Sequence, residues 1–240
     1  MSKKSKSRRA EAPAAAAAAA AAPAAPADTG PSMARKVVAG IAIALVVAIV
    51  AVIVLVLQGP NPARHPALES LHSPTTGEAG AKVHVVEFLD PACETCADFY
   101  PFIKQLMAEN PGRLRVSIRL VPLHKGADTV AAMIEASRLQ DKYWPVLETL
   151  LATQDLWTIN HVVQPELARK ALANAGLDWA RLEADMKSPK VLENLAKDRE
   201  DAAELKVTKT PEYFVNGRQM PTFGRQQLKR LVLDEISRAY

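Results

Sequence analysis

From Val37 to Leu57 the chain carries no charged side chain, and almost every residue is Val, Ala, Ile or Leu. Backbone polar groups inside so apolar a run have only one another as partners, and at 1.5 Å rise per residue the run is long enough to cross a hydrocarbon core as a helix. A transmembrane signal-anchor helix is therefore expected over 37–58. It divides the chain into a short leading segment and a following part large enough for one ordinary domain.

Charge is unevenly divided across this run. Before it lie Lys3, Lys4, Lys6, Arg8, Arg9, Arg35 and Lys36 against Glu11 and Asp28, seven of the 30 basic and two of the 26 acidic residues. Beyond it 23 basic residues face 24 acidic ones, so the net charge of +4 resides in the leading segment. Lysine and arginine beside a span keep that side in the cytoplasm, which places the C-terminal bulk outside. A nearly neutral folded part gives no reason to expect nucleic-acid binding. A cleaved signal peptide would have a shorter apolar core and a small-x-small cleavage site, whereas Gln58-Gly59-Pro60-Asn61-Pro62 follows here.

Residues 1–36, with the alanine run Ala14 to Ala22 between Pro13 and Pro23, offer nothing to bury and read as a disordered cytoplasmic tail. Residues 59–80, rich in Pro, Gly, Ser and Thr, read as a linker. The folded domain is expected over 81–240. Val83 to Leu89 is a short run rich in β-branched residues, hence a buried strand, and Asp90-Pro91-Ala92 ends it. From Cys93 the pattern turns helical, with Phe99, Phe102, Ile103, Leu106 and Met107 at spacings of three and four. Leu114, Val116, Ile118 and Leu120 then alternate with Arg113, Arg115, Ser117 and Arg119, which predicts a strand with one polar face. About 127–205 holds no strand-like run and reads as a helical insertion. Glu212 to Val215 predicts a strand, Asn216-Gly217 a tight hairpin turn, Arg218 to Thr222 the returning strand, and Arg225 to Tyr240 a closing helix.

The chain's only two cysteines are Cys93 and Cys96, in Cys93-Glu94-Thr95-Cys96 at the start of the predicted helix. Unpaired N–H groups and the helix dipole favour a thiolate there, which makes Cys93 the expected nucleophile, and Cys96 is one turn away to resolve a mixed disulfide. Half of a zinc site is the rival reading of such a pair. It lacks a second ligand pair, since His65, His72, His84, His124 and His161 are scattered singly. Glu87, in the middle of Val-Val-Glu-Phe-Leu, is expected to be buried. Either its raised pKa lets it exchange a proton with Cys96, or it pairs with Arg115 or Arg119 of the neighbouring strand.

Strand, Cys-x-x-Cys, helix, strand, helical insertion, and Thr210-Pro211 leading into a strand and closing helix together resemble the DsbA-like thiol:disulfide oxidoreductases of the thioredoxin superfamily. The resemblance covers about 82–240 and implies an α/β, thioredoxin-like fold with an inserted helical subdomain. It implies that Pro211 is the cis-proline packed against the active-site pair, with the Thr210 backbone presented to substrate, and that Glu87 is the acid beneath the second cysteine. The chain departs from the family's strongest oxidants at Glu94, where they carry a histidine in the dipeptide. A negative charge there is expected to oppose the Cys93 thiolate, and Thr210 resembles the residue found in members that shuffle or reduce disulfides.

The resulting expectation is an extracytoplasmic, single-pass enzyme of the inner membrane with its catalytic domain in the periplasm. It would act as a reductase, isomerase or moderate oxidant on protein thiol and disulfide substrates. The site would comprise Cys93, Cys96, Glu87, Pro211 and Thr210, without metal or organic cofactor. A membrane redox partner would regenerate it. The alternative is a Cu(I) relay using the same two thiolates.

Overall fold

A computed structural model describes residues 33–57 and 65–240. The tail expected before 33 and the first part of the expected linker, to residue 64, lie outside the described residues. The described chain forms two units, one ending at Leu57 and one running to Tyr240.

The first unit is a single helix, α1, Met33–Leu57, of 25 residues. Its described apolar side chains, Val37 to Val52, are exposed along their whole length, which is the pattern of a helix without a polar face. Among the described residues no helix is long and apolar enough to cross a membrane.

The second unit is built on a five-stranded sheet in the order β1 (Thr75–Gly77), β3 (Leu114–Leu120), β2 (Val83–Leu89), β6 (Glu212–Val215) and β7 (Arg218–Gln219). β2 and β3 are parallel, and α2 (Glu94–Glu109) supplies the crossover that parallel neighbours require. β6 lies antiparallel on the other side of β2, with Tyr213 opposite Glu87. Asn216 and Gly217 both have positive φ, 47° and 79°, as expected of the two-residue turn joining β6 to β7. β7 stops at Gln219, earlier than the expected Thr222, because Pro221 has no N–H to extend the ladder.

Strand alternation sorts the side chains by face. Val83, Val85, Glu87 and Leu89 share one face with Val116, Ile118 and Tyr213. The main core forms on that face, under Phe99, Ile103 and Leu106 of α2 and Leu228, Val232 and Ile236 of the closing helix α9 (Arg225–Ala239). Val86, Phe88 and Phe214 point the other way, into a smaller core with Leu68 and Ala202 of α8 (Pro189–Glu204). Between β3 and β6 lie α3 (Ala127–Ser137), α4 (Tyr143–Ala152), the single turn α5 (Gln154–Trp157), α6 (Pro165–Ala171), α7 (Trp179–Asp185) and α8.

Two expectations need correction. The described part of the stretch read as a linker is folded onto the domain: Ala67 and Leu68 are buried and β1 pairs antiparallel with β3. Its Ser, Thr and Gly residues conceal an edge strand held by its ladder to β3 and by the hydrogen bond between the Thr75 and Ser117 hydroxyls. The insertion also contains a small hairpin, β4 (Thr158–Ile159) and β5 (Val162–Val163). Asn160 and His161 make its turn with φ of 50° and 60°, a conformation usually marked by glycine and here unmarked.

Candidate active site

Three devices hold the loop between β2 and α2. The Asp90 carboxylate, fully buried, accepts hydrogen bonds from the Ala92 N–H at 2.8 Å and from the Leu123 and His124 N–H groups at 2.6 and 2.8 Å. The Asp90 carbonyl accepts the Cys93 N–H at 3.0 Å. The buried Gln154 amide donates to the Pro91 carbonyl at 2.7 Å and to that of Cys93 at 3.1 Å. An aspartate that closes its own turn is a standard way to end a strand and start a helix. The result is that Cys93 stands at the N-cap of α2 with extended backbone, φ −82° and ψ 116°, and its carbonyl receives the Cys96 and Ala97 N–H groups.

Both cysteines are free thiols. Cys93 keeps 7% of its surface exposed and Cys96 none, so a reaction partner can approach only the first. The Cys93 thiol donates to the Thr210 carbonyl at 3.4 Å, across the cis Thr210-Pro211 peptide bond that precedes β6. The Cys93 pKa is lowered from 9.0 to about 5, first by the hydrogen bond from the Cys96 thiol and then, against partial burial, by the backbone N–H groups of Cys96 and Thr95. The Cys96 pKa is pushed well above its ordinary value, first by burial and then by its proton's engagement with Cys93 and the charges of Glu87 and Cys93. Two chemically identical groups one turn apart are thereby split into a ready thiolate and a retained thiol.

Glu87 lies on the same face of the sheet, fully buried, with its Oε1 accepting the Tyr213 hydroxyl at 2.9 Å and its Oε2 without a partner. Burial pushes its pKa up to about 8; the Tyr213 hydrogen bond opposes this and the Cys93 charge adds to it. The alternative of an ion pair with Arg115 or Arg119 does not occur. Those side chains register with His84 and Phe88 and so point to the opposite face, where Arg119 meets Asp198 and Asp201.

Glu94 does not act on Cys93 as expected. Its side chain is 76% exposed and faces His161 at 3.8 Å, so water screens its charge, while the Cys96 thiol, the N–H groups of the cap and the Thr210 hydroxyl lower the Cys93 pKa. The structure therefore brings together Cys93, Cys96 and the Thr210-Pro211 turn, and places Glu87 behind them. Phe99 stacks on Tyr213 at 6.1 Å and on the partly exposed Phe223 at 4.7 Å, forming an aromatic wall along α2.

Sequence reasoning missed Asp90, Tyr213 and Gln154. Asp90 in Asp-Pro-Ala-Cys was visible as a strand breaker and could have been read as a turn-closing acid. Tyr213 stands two residues after Pro211, on the Glu87 face of a recognisable strand. Gln154 had no signal, because its role arises 61 residues from Cys93 in the folded chain. Among the described residues no group of three or more His, Cys, Asp or Glu side chains converges to hold a metal ion, so the copper alternative gains no donor beyond the two thiols.

A family model described as thioredoxin matches residues 69–234. Among solved structures, a thioredoxin-like oxidoreductase from Silicibacter pomeroyi DSS-3 is 27% identical, with a TM-score of 0.62 over 73% of this chain and 96% of that one. The thiol-disulfide exchange protein alpha-DsbA2 from Wolbachia pipientis shares the fold at 20% identity, with a TM-score of 0.59 over 70% of this chain and 89% of that one. A curated relative, the Na(+)/H(+) antiporter NhaA of Herminiimonas arsenicoxydans, is 31% identical over 144 residues, which are 60% of this chain and 22% of that protein. The chain thus spans about a fifth of the length of such relatives.

Proposed function

This chain belongs to the thioredoxin family, and from that premise we propose that it is a DsbA-like protein thiol:disulfide oxidoreductase working through Cys93 and Cys96. The observation that carries this reading is the division of labour within one turn of α2: a Cys93 sulfur whose pKa is lowered to about 5 and which alone keeps some exposure, and a fully buried Cys96 that keeps its proton.

In the reducing direction the Cys93 thiolate attacks a substrate disulfide, forming a mixed disulfide and expelling one substrate thiolate. Cys96 then passes its proton to Glu87 and attacks Cys93. The two chain sulfurs are then joined as a disulfide and the substrate has gained two electrons; the Glu87 proton goes to the second departing thiolate, and water supplies the proton of the first. In the oxidising direction the same steps run backwards. A backbone carbonyl at Thr210 and the aromatic wall of Phe99 and Phe223 offer an extended substrate segment a polar edge and an apolar one.

The 25-residue α1 and the basic segment before it support a single-pass arrangement, with the lipid bilayer around 37–58, the N-terminus cytoplasmic and the catalytic domain periplasmic. In that setting a membrane redox partner returns the cysteine pair to its working state. Trapping tests the proposal. Cys96→Ala in intact cells should accumulate mixed disulfides between Cys93 and protein substrates, and Cys93→Ala should accumulate none. Equal trapping by the two variants, or none by either, would refute it.

A further inference from the structure

The Asp90 carboxylate is fully buried, and among the described residues the one ionisable side chain that meets it is His124, whose Nδ1 lies 2.7 Å from Oδ2. A carboxylate has no proton to give, so Nδ1 is the donor. The other donors to Asp90 are backbone N–H groups, that of Ala92 on Oδ1 and those of Leu123 and His124 on Oδ2. His124 therefore supplies two of the four hydrogen bonds, and through them the loop between β3 and α3 is tied to the loop that carries the cysteines.

Asp90 in turn meets both cysteines. Its carbonyl accepts the Cys93 N–H at 3.0 Å, and its own N–H faces the Cys96 sulfur. The two contacts are unequally backed. Cys93 is also held by the Gln154 amide on its carbonyl and by the Thr210 carbonyl on its thiol. Cys96 has burial and the charges of Glu87 and Cys93 against its ionisation, and the Asp90 N–H is what favours its thiolate. Once Cys93 is bound in a mixed disulfide its sulfur carries no charge, and the Asp90 N–H remains as the hydrogen bond that supports the attacking Cys96.

Resting on the thiol-exchange reading above, we propose that His124 is a positioning residue for the second step of exchange: by holding the Asp90 carboxylate, it keeps the Asp90 N–H on Cys96 as that sulfur attacks Cys93. Without the Nδ1 donor a buried carboxylate is one hydrogen bond short and has no ionisable partner, so it turns toward another donor and carries its backbone with it. A shift of about 1 Å in a reacting group costs up to about a hundredfold in rate. The partly exposed His124 ring also stacks on His161 of the β4–β5 turn, with centroids 6.3 Å apart, so loss of the donor has to be told apart from loss of the ring.

The test mixes the reduced full chain in detergent with an equimolar aromatic disulfide, dithiobis(nitrobenzoate), under stopped flow. The Cys93 thiolate attacks the reagent and releases one thionitrobenzoate anion. Cys96, its proton passing to Glu87 and on to water, then attacks Cys93 and releases a second, so the reagent gains the two electrons that the joined chain sulfurs lose. Absorbance of the released anion reads the two steps as two phases. His124→Phe keeps a ring to stack on His161 but has no donor; it should slow the second phase about tenfold or more and leave the first close to wild type. His124→Asn loses the ring but sets an amide N–H near the place of Nδ1, and should restore the second phase. His124→Leu, close to asparagine in shape, should behave as His124→Phe does, and the leucine–asparagine pair decides the matter if the phenylalanine variant does not fold. A fast second phase in His124→Phe with a slow one in His124→Asn would mean ring packing and overturn the proposal. So would equal second phases in all these proteins, or equal slowing of both phases. A wild type without a second phase, or a second phase that persists in Cys96→Ala, would instead overturn the exchange reading and this inference with it.

Discussion

Replacing Glu87 with Gln should make the protein more stable at neutral pH while impairing its second chemical step. The carboxyl is fully buried, and its pKa is raised from 4.5 to about 8. A group that holds its proton more tightly in the folded chain than in the unfolded one contributes full stability below pH 4.5. That contribution is lost as pH rises and levels off once pH passes about 8. At about 1.4 kcal/mol per pH unit, the interval from 4.5 to 7 amounts to about 3 kcal/mol, and the whole interval to about 5 kcal/mol. Glutamine is neutral throughout and can accept the Tyr213 hydroxyl at the same oxygen. It leaves its second polar atom where Oε2 has no partner, as the protonated carboxyl also does, so the two neutral forms cost alike. Urea midpoints of the reduced chain should therefore agree between wild type and Glu87→Gln at pH 4 and differ by about 3 kcal/mol at pH 7, with the variant the more stable. Because the Cys93 charge is part of what raises the Glu87 pKa, the oxidised wild type should show a shallower slope than the reduced one. Parallel stability curves for the two proteins from pH 4 to 9 would refute the reasoning, since they would mean that Glu87 titrates alike folded and unfolded.

Alkylation of Cys93 should follow a titration near pH 5, and Cys96→Ala should move it upward, since the Cys96 thiol is the largest single cause of the depression; iodoacetamide rates against pH read both. Arg119→Leu should destabilise the domain by about 3 kcal/mol in urea, because the buried Asp198 and Asp201 would lose the guanidinium they share and keep only His72 and Lys197. Gln154→Ala should cost about 1–3 kcal/mol by removing the side-chain donor to the buried Pro91 carbonyl and a tie to that of Cys93, and should slow Cys93 alkylation relative to an equally destabilised variant remote from the loop.

What could be read from the sequence was what the chain specifies locally. β2 and β3 showed as β-branched or alternating runs, α2 as a three-and-four spacing, and the β6–β7 turn as Asn-Gly, because each depends on a few neighbouring residues. β1 was invisible for the complementary reason: Thr75, Thr76 and Gly77 bury little, and their strand exists only through pairing with Ser117, Val116 and Arg115 about 40 residues away. The same holds for the site. Cys93, Cys96 and Glu87 could be named from one short stretch, and Thr210-Pro211 from the family pattern. Gln154, which holds the cysteine loop, and Asp198 with Asp201, which draw Arg119 to the outer face, act across 61 to 82 residues and carry no local mark. Glu94 misled for a related reason. Adjacency in sequence suggested electrostatic influence, but a side chain leaving the first turn of a helix toward water exerts little on the sulfur beside it.

With Glu94 removed from the balance, the Cys96 thiol first, and the cap of α2 after it, lower the Cys93 pKa. The hydrogen bonds from the Cys96 thiol and the backbone N–H groups exist only when Cys93 is a free thiolate, so they stabilise the reduced form alone. At pH 7, two units above a pKa of about 5, that stabilisation is at most about 3 kcal/mol, and less where solvent reaches the open side of the sulfur. For a two-electron couple this corresponds to a potential at most about 60 mV more oxidising than that of an unperturbed pair. A Cys93 pKa of about 5 lies between those of strongly reducing and strongly oxidising Cys-x-x-Cys proteins, about 7 and about 3.5. Under the proposed function, the behaviour expected of such a pair is that of a moderate oxidant. A measured equilibrium with glutathione that placed the pair among the strongest reductants would show that strain or substrate-side contacts, and not the cap, set its potential.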